Sequence, residues 1–245
     1  MPGVNSAVKQ YWSKPTKVLL DAGPARKALR SLYFSSMRRR VDLWAESQKF
    51  DELIDGRKIT WRILQSGFRD YRAAVQGGRC CYCRGELIGS KGGRPVEHVL
   101  PRSHYPQFSF CFWNLAISCP RCNGIKTNHD WMLALDKSGR RYPRPVDSVH
   151  FFHPVYDAYG DHVWMRRVSD GHSSVAVFVG LTDKGRHLCS SVLNKVSKVE
   201  TRVAGSPGLA KSLDLIDGLV SGIAVPANGD YVRFREQLKV VLGGL

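Results

Sequence analysis

Between residues 80 and 126 the chain concentrates side chains that hold metals or move protons. Four cysteines fall into two Cys-x-x-Cys pairs, Cys80 with Cys83 and Cys119 with Cys122, and 35 residues separate the pairs. Each such turn presents two thiolates, and two turns together can close a tetrahedral site around Zn2+. The gap exceeds the 15–20 residues of a simple zinc ribbon, so the metal would staple the ends of a larger excursion. Cys81 offers a competing register, and Cys80 is preferred because its spacing repeats that of the second pair. The plain alternative is a set of buried or free thiols. Cys111 and Cys189 have no partner at ligand spacing and are expected as buried thiols.

Inside the excursion stand Glu97-His98, then fifteen residues, Asn114, eight residues, Asn123, two residues and Lys126. An imidazole, with an ordinary pKa of about 6.5, can take a proton from water near neutral pH. The carboxylate of Glu97 and the amide oxygen of Asn123 are hard ligands, which favour Mg2+ or Mn2+. Two protein ligands leave positions open for water and a phosphate oxygen, the condition for metal-assisted phosphodiester hydrolysis. Neighbours in a strand point to opposite faces, so pairing Glu97 with His98 requires a twist or a strand end, and Pro101 is compatible with an end soon afterwards. Arg102 and His104 follow the base closely and are candidates, with Lys126, for holding a substrate backbone. Each residue also has a plain reading: His98 an ordinary histidine, Asn114 a turn residue, Asn123 the left-handed residue of a knuckle, Lys126 a solvated lysine.

The segments "VEHVLPRSHYP" and "FWNLAISCPRCNGIK", framed by the paired cysteines, resemble the HNH endonuclease family over about residues 76–130. The resemblance implies a ββα-metal unit of two antiparallel strands, a loop and a helix. It implies His98 as general base, Glu97 and Asn123 as ligands of one catalytic cation, and Asn114 as the brace of the loop carrying the base. The third motif position is Asn in place of His, the HNN variant. The implied reaction is one-metal hydrolysis leaving 5′-phosphate and 3′-hydroxyl ends; it needs no 2′-hydroxyl, so DNA is the natural substrate. More loosely, the order of these parts with "HPVYDAYGDHV" and "GLTDKGRHLCSSVLNKVSKVETR" is similar to HNH proteins of Septu and retron-type anti-phage systems. That would imply a bacterial defence effector beside an ATPase partner, docked through the terminal regions.

The bulk of the chain agrees with a nucleic-acid partner. Its 245 residues carry 37 Lys+Arg against 21 Asp+Glu, a net charge of +16, and such an excess attracts polyanions. No run of eighteen apolar residues is present, so no membrane span is expected. The first residues lack the apolar stretch of a secretory signal, which points to a cytoplasmic setting with reduced cysteines.

The elements that would carry the site form an α+β chain in three parts: a helical region 1–75, the HNH core with its knuckles 76–135, and a mixed, mainly helical region 136–245 that would dock a partner. Apolar spacing predicts helices over 25–47 and 57–75, whose aromatic stripes are expected in the core. Arg26, Lys27, Arg30 and the Arg38–Arg40 run lie on the other face of the first. Short extended segments fit around 86–89 and 95–100 with the "GSKGG" loop between them, and a helix fits near 122–134. Residues 136–145 resemble a basic linker. Strands at "HVWMRRV" and "VAVFVGL" precede helices at about 183–201, 207–221 and 229–243. His150, His153, Asp157 and His162 match no ligand spacing and are expected in ordinary packing. Two competing functions fit the same residues: a non-catalytic zinc-knuckle module binding nucleic acid or protein, and a nuclease acting on RNA or tRNA.

Overall fold

The first helical stripe is interrupted. Helix α1 (Ala22–Arg39) stops where Arg40 adopts a left-handed φ of 54°, its N–H returning to Ser36 O at 2.9 Å. Asp42 then starts a new turn, α2 (Leu43–Glu46), by accepting the Trp44 N–H at 3.1 Å. A left-handed residue followed by an N-cap side chain ends one helix and aims the next elsewhere, so the single helix expected over 25–47 is two. The computed structural model describes residues 22–87, 94–133, 135–169 and 174–197. The expected helices at 207–221 and 229–243, the "GSKGG" loop and the end of the 183–201 helix lie outside these residues.

The second helix also starts later than expected. Residues 51–60 form a hairpin, β1 (Asp51–Ile54) with β2 (Arg57–Thr60), turning on Asp55 and Gly56 at φ 51° and 72°. Asp-Gly is the two-residue signature of such a turn, a signal that lies just ahead of the apolar stripe beginning at Trp61. Helix α3 (Trp61–Val75) then begins, with Thr60 Oγ1 accepting the Ile63 N–H at 3.4 Å.

The strand carrying Glu97 and His98 is β3 (Val96–His98). It pairs antiparallel with β4 (Leu115–Ile117), Glu97 opposite Ala116 and His98 opposite Leu115. The segment expected as extended around 86–89 contributes an isolated bridge between Glu86 and Arg79. Helix α4 (Pro120–Lys126) follows and ends at Thr127, whose φ of 49° halts it well short of the expected residue 134. The chain divides into two compact units, residues up to 123 with 127–144, and residues 124–126 with those from 145 onward.

The first unit's core packs α1, α2 and α3 onto the hairpin β3–β4. Leu29, Leu43, Ile59, Trp61, Leu64 and Phe68 meet Phe110, Phe112, Leu115 and Ile117. Each large apolar side chain buried this way contributes about 1.5–3 kcal/mol, so the aromatic stripes are core, as expected. The Arg72 guanidinium is buried over the Phe112 ring, 4.2 Å from its centroid, and donates to Phe112 O at 3.1 Å. A smaller cluster of Leu100, Tyr105, Phe108 and Cys111 fills the connection between β3 and β4. Burial pushes the Cys111 thiol up to about 12, the inert thiol expected there. Residues 136–144 do not behave as a linker: Gln107 Nε2 donates to Lys137 O at 2.8 Å and Gly139 O at 2.9 Å, docking the segment on this connection.

In the second unit α5 (Tyr159–His162) leads into the hairpin β5 (Val163–Ser169) and β6 (Ser174–Gly180), within a residue of the expected strands. Helix α6 (Asp183–Leu188) continues as a π-helical turn over Cys189–Leu193. Gly185 allows the close approach: a Cβ there would lie 1.8 Å from His162 O. The chain is a mixed α+β protein with small antiparallel two-stranded sheets. Among the described residues no helix is long and apolar enough to cross a membrane.

Candidate functional site

The sulfurs of Cys80, Cys83, Cys119 and Cys122 all lie within 4.8 Å of one another. Four ligands at the usual Zn–S distance of about 2.3 Å, at tetrahedral corners, stand about 3.8 Å apart. Cys83 Sγ and Cys119 Sγ are 3.8 Å apart, so the four-cysteine cluster fits a zinc ion. Two backbone donors, Cys119 N–H to Cys80 Sγ at 3.2 Å and Cys122 N–H to Cys119 Sγ at 3.4 Å, favour thiolates. Cys81 is buried outside the cluster, which decides the register in favour of Cys80. Cys81→Ser is therefore expected to retain one zinc per chain by elemental analysis. Cys80→Ser should lose the metal together with a large part of the thermal stability, and zinc retained in it would break the assignment.

Beside the cluster opens a cleft of about 410 Å³, lined by Glu97, His98 and Asn123 with Asp42, Arg102 and Thr127 among others. Strand β3 ends at His98, the strand end that lets both neighbours reach one cavity. Each cysteine pair adjoins one of the two expected oxygen donors. Tyr82, between Cys81 and Cys83, donates its hydroxyl to Glu97 Oε1 at 3.1 Å. Burial, and then the Glu97 charge, hold the Tyr82 phenol well above its ordinary range, so it remains a donor. Asn123 directly follows Cys122 on α4, with Ser118 Oγ at 3.5 Å from its Oδ1.

The His98 ring is held in one tautomer. Its Nε2 lies 3.0 Å from Ser109 O; a carbonyl only accepts, so Nε2 carries the proton and Nδ1 is the basic nitrogen of the neutral ring. The Trp44 ring meets the imidazole edge-on at 4.7 Å and is wedged against Trp61 and Phe110.

Asn114 is fully buried and uses its whole side-chain inventory. Oδ1 accepts from Leu100 N–H at 2.7 Å and from the Tyr142 hydroxyl at 3.1 Å; Nδ2 donates to Leu100 O at 3.0 Å and Phe108 O at 3.1 Å. It ties β4 to the connection that leaves His98.

The remaining candidates separate. Arg102 lines the cleft and pairs with Asp42 Oδ2 at 2.5 Å, while Asp42 Oδ1 caps α2. His104 does not line the cleft; its Nδ1 lies 3.4 Å from Asp130, which also accepts the Tyr105 hydroxyl at 3.0 Å. Lys126 is almost wholly buried and falls in the second unit. Asp42, Trp44, Tyr82 and Ser109 were not anticipated at the site. Of these only Tyr82 carried a signal, its place inside the first knuckle; Asp42 and Trp44 arrive from more than fifty positions away.

In the second unit Asp157 accepts the His153 N–H and the Lys184 ammonium, each at 2.7 Å, and His162 Nδ1 shares a hydrogen bond with Thr182 Oγ1 at 2.7 Å. This is ordinary hydrogen bonding. Among the described residues the four-cysteine cluster is the group of His, Cys, Asp or Glu side chains close enough to share an ion.

Comparison with known proteins returns a partial match. Over 81 residues, 30% of this chain, the sequence is 39% identical to the Septu protein PtuB of Bacillus thuringiensis. The match covers 32% of that protein, so the chain spans about a third of the length of this relative. No family description matches the chain, and no solved structure matches it.

Proposed function

We propose that this chain is a metal-dependent HNH-type endonuclease that hydrolyses DNA phosphodiester bonds as an effector of bacterial anti-phage defence. The observation that carries the reading is one cleft lined by Glu97, His98 and Asn123, with a zinc-binding pair of cysteines adjoining each oxygen ligand. The donor set, one buried carboxylate and one amide, fits a hard dication. When bound, Mg2+ or Mn2+ would neutralise charge on the phosphate and on the departing 3′ oxygen.

The chain's own residues do the rest. His98 Nδ1 accepts a proton from water as the oxygen attacks phosphorus, and the Ser109 carbonyl on Nε2 stabilises the imidazolium that forms. Asn114 holds the connection after His98, so the base cannot swing away. Glu97 is oriented by the Tyr82 hydroxyl. The match to a Septu protein supports the defence reading, and an ATPase partner belongs to the same proposal.

The test is a plasmid assay with Mg2+ or Mn2+, with and without the ATPase partner, on wild type and His98→Ala, with zinc quantified in each preparation. Salt-sensitive DNA binding without cleavage under every condition would favour a non-catalytic zinc module. Parallel RNA and tRNA substrates separate a ribonuclease. The Arg102–Asp42 pair gives a further expectation. Asp42→Asn keeps an oxygen to cap α2 and removes the charge that occupies Arg102, so DNA should bind about two- to tenfold more tightly at low salt. Weaker binding in this variant would exclude Arg102 as a phosphate contact.

A further inference from the structure

Two arginine runs separated by about a hundred positions in the chain are held on the same connection between β3 and β4. At the end of α1, Ser36 Oγ lies 3.1 Å from Pro106 O, 3.0 Å from Gln107 O and 3.0 Å from Ser109 Oγ. The same Gln107 binds the carbonyls of Lys137 and Gly139 through its side chain, the Tyr142 hydroxyl reaches Asn114, and Met37 and Tyr142 pack against one apolar cluster. Arg38, Arg39 and Arg40 therefore leave the same connection as Arg140 and Arg141, and all five are exposed. The adjacency is also electrostatic. After two hydrogen bonds from Ser138, the charge of Arg40 helps hold the Asp136 carboxyl below its ordinary range. Asp136 is the one carboxylate within residues 38–40 and 136–144.

Helix-dipole stabilisation accounts for Arg38 and Arg39, which lie in the last turn of α1. It does not account for Arg40, Arg140 or Arg141, which lie outside any helix. A solvated face is the plain reading of scattered charge, but five cations assembled from two segments against one carboxylate is a focused positive potential. It also adjoins the cleft, because Asp42, two residues beyond Arg40, lines the cleft together with its partner Arg102.

We infer that Arg38, Arg39, Arg40, Arg140 and Arg141 form a docking surface for the phosphate backbone of a DNA duplex, feeding the cleft that holds Glu97 and His98. The choice of DNA rests on the proposed function; the surface itself does not. Backbone contacts of this kind release counterions, and the affinity falls with salt by about 0.9 log unit per log unit for each phosphate neutralised.

The experiment measures fluorescence anisotropy of a labelled 30-base-pair DNA duplex, and in parallel of an RNA duplex of the same length, with the full chain and no added divalent metal. A variant with all five arginines changed to glutamine is compared with one losing five exposed cations elsewhere in the unit, Lys27, Lys49, Arg57, Lys58 and Arg62, also to glutamine. The net charge removed is the same. The first variant should bind about 10- to 100-fold more weakly at 100 mM salt, with the salt slope reduced by about three, and the second within about threefold of wild type. Arg38–Arg40 and Arg140–Arg141 changed separately should each give a partial loss, with melting temperature and zinc content unchanged. Equal losses in the two fivefold variants, no loss in either, or a loss confined to an RNA duplex overturns the inference. Absent cleavage together with the expected binding loss would sink the nuclease reading and leave the surface standing.

Discussion

Replacing His98 with alanine is expected to lower the rate of DNA cleavage by about 10²- to 10⁴-fold, the usual contribution of a positioned general base. The zinc cluster takes no ligand from His98, so metal content should be that of the wild type. The imidazole also packs against Trp44, so some loss of stability accompanies the substitution, and activity must be compared below both melting temperatures. Two readouts separate a base from a packing residue. Added imidazole should restore part of the rate to His98→Ala if the missing function is proton acceptance. His98→Gln, which fills much of the space without a basic nitrogen, should remain as inactive as the alanine variant. Cleavage by His98→Ala at the wild-type rate removes His98 from the mechanism.

Asn114→Ala is expected to cost about 3–5 kcal/mol of stability. The substitution leaves the Leu100 N–H, the Leu100 and Phe108 carbonyls and the Tyr142 hydroxyl without their shared partner. A buried polar group left unsatisfied costs about 1–3 kcal/mol, with losses at one site partly shared. Asn114→Asp preserves the two accepting functions and loses both donors, placing a carboxylate against two carbonyls, so it should be no better than alanine. Cleavage should fall as well, although Asn114 does not line the cleft, because the connection leaving His98 loses its anchor. Denaturant midpoints of Asn114→Ala and wild type that coincide would show that the hydrogen-bonded hub is not formed in solution.

The parts of the site legible in the sequence were those built from local spacing. Cys-x-x-Cys turns are short, and their geometry is set within four residues, so Cys80, Cys83, Cys119 and Cys122 could be named as one cluster before any fold was known. The same holds for the strand end at His98 and for the two strands at "HVWMRRV" and "VAVFVGL", whose antiparallel pairing the structure adds. The helix expected over 57–75 began too early: its apolar stripe starts at Trp61, where the helix itself starts, and Asp55-Gly56 demands a hairpin over the residues before it. The break at Arg40 left no comparable mark, since a left-handed arginine is stabilised by its surroundings and not by its own preference.

The chain's residue types and local spacing determined which cysteines could share a metal, which ring offers a nitrogen base beside a carboxylate, and that the chain carries a net charge of +16. They could not determine what surrounds those groups, because contacts across long separations depend on packing and not on neighbours in the chain. Only the tertiary structure set Trp44 against His98, Tyr82 against Glu97, Asp42 against Arg102, and Lys137 and Tyr142 of the expected linker at 136–145 against the connection that Asn114 braces. At Glu97 and His98 desolvation makes that geometry decisive: a buried carboxylate or imidazole is defined by the few atoms that replace its water.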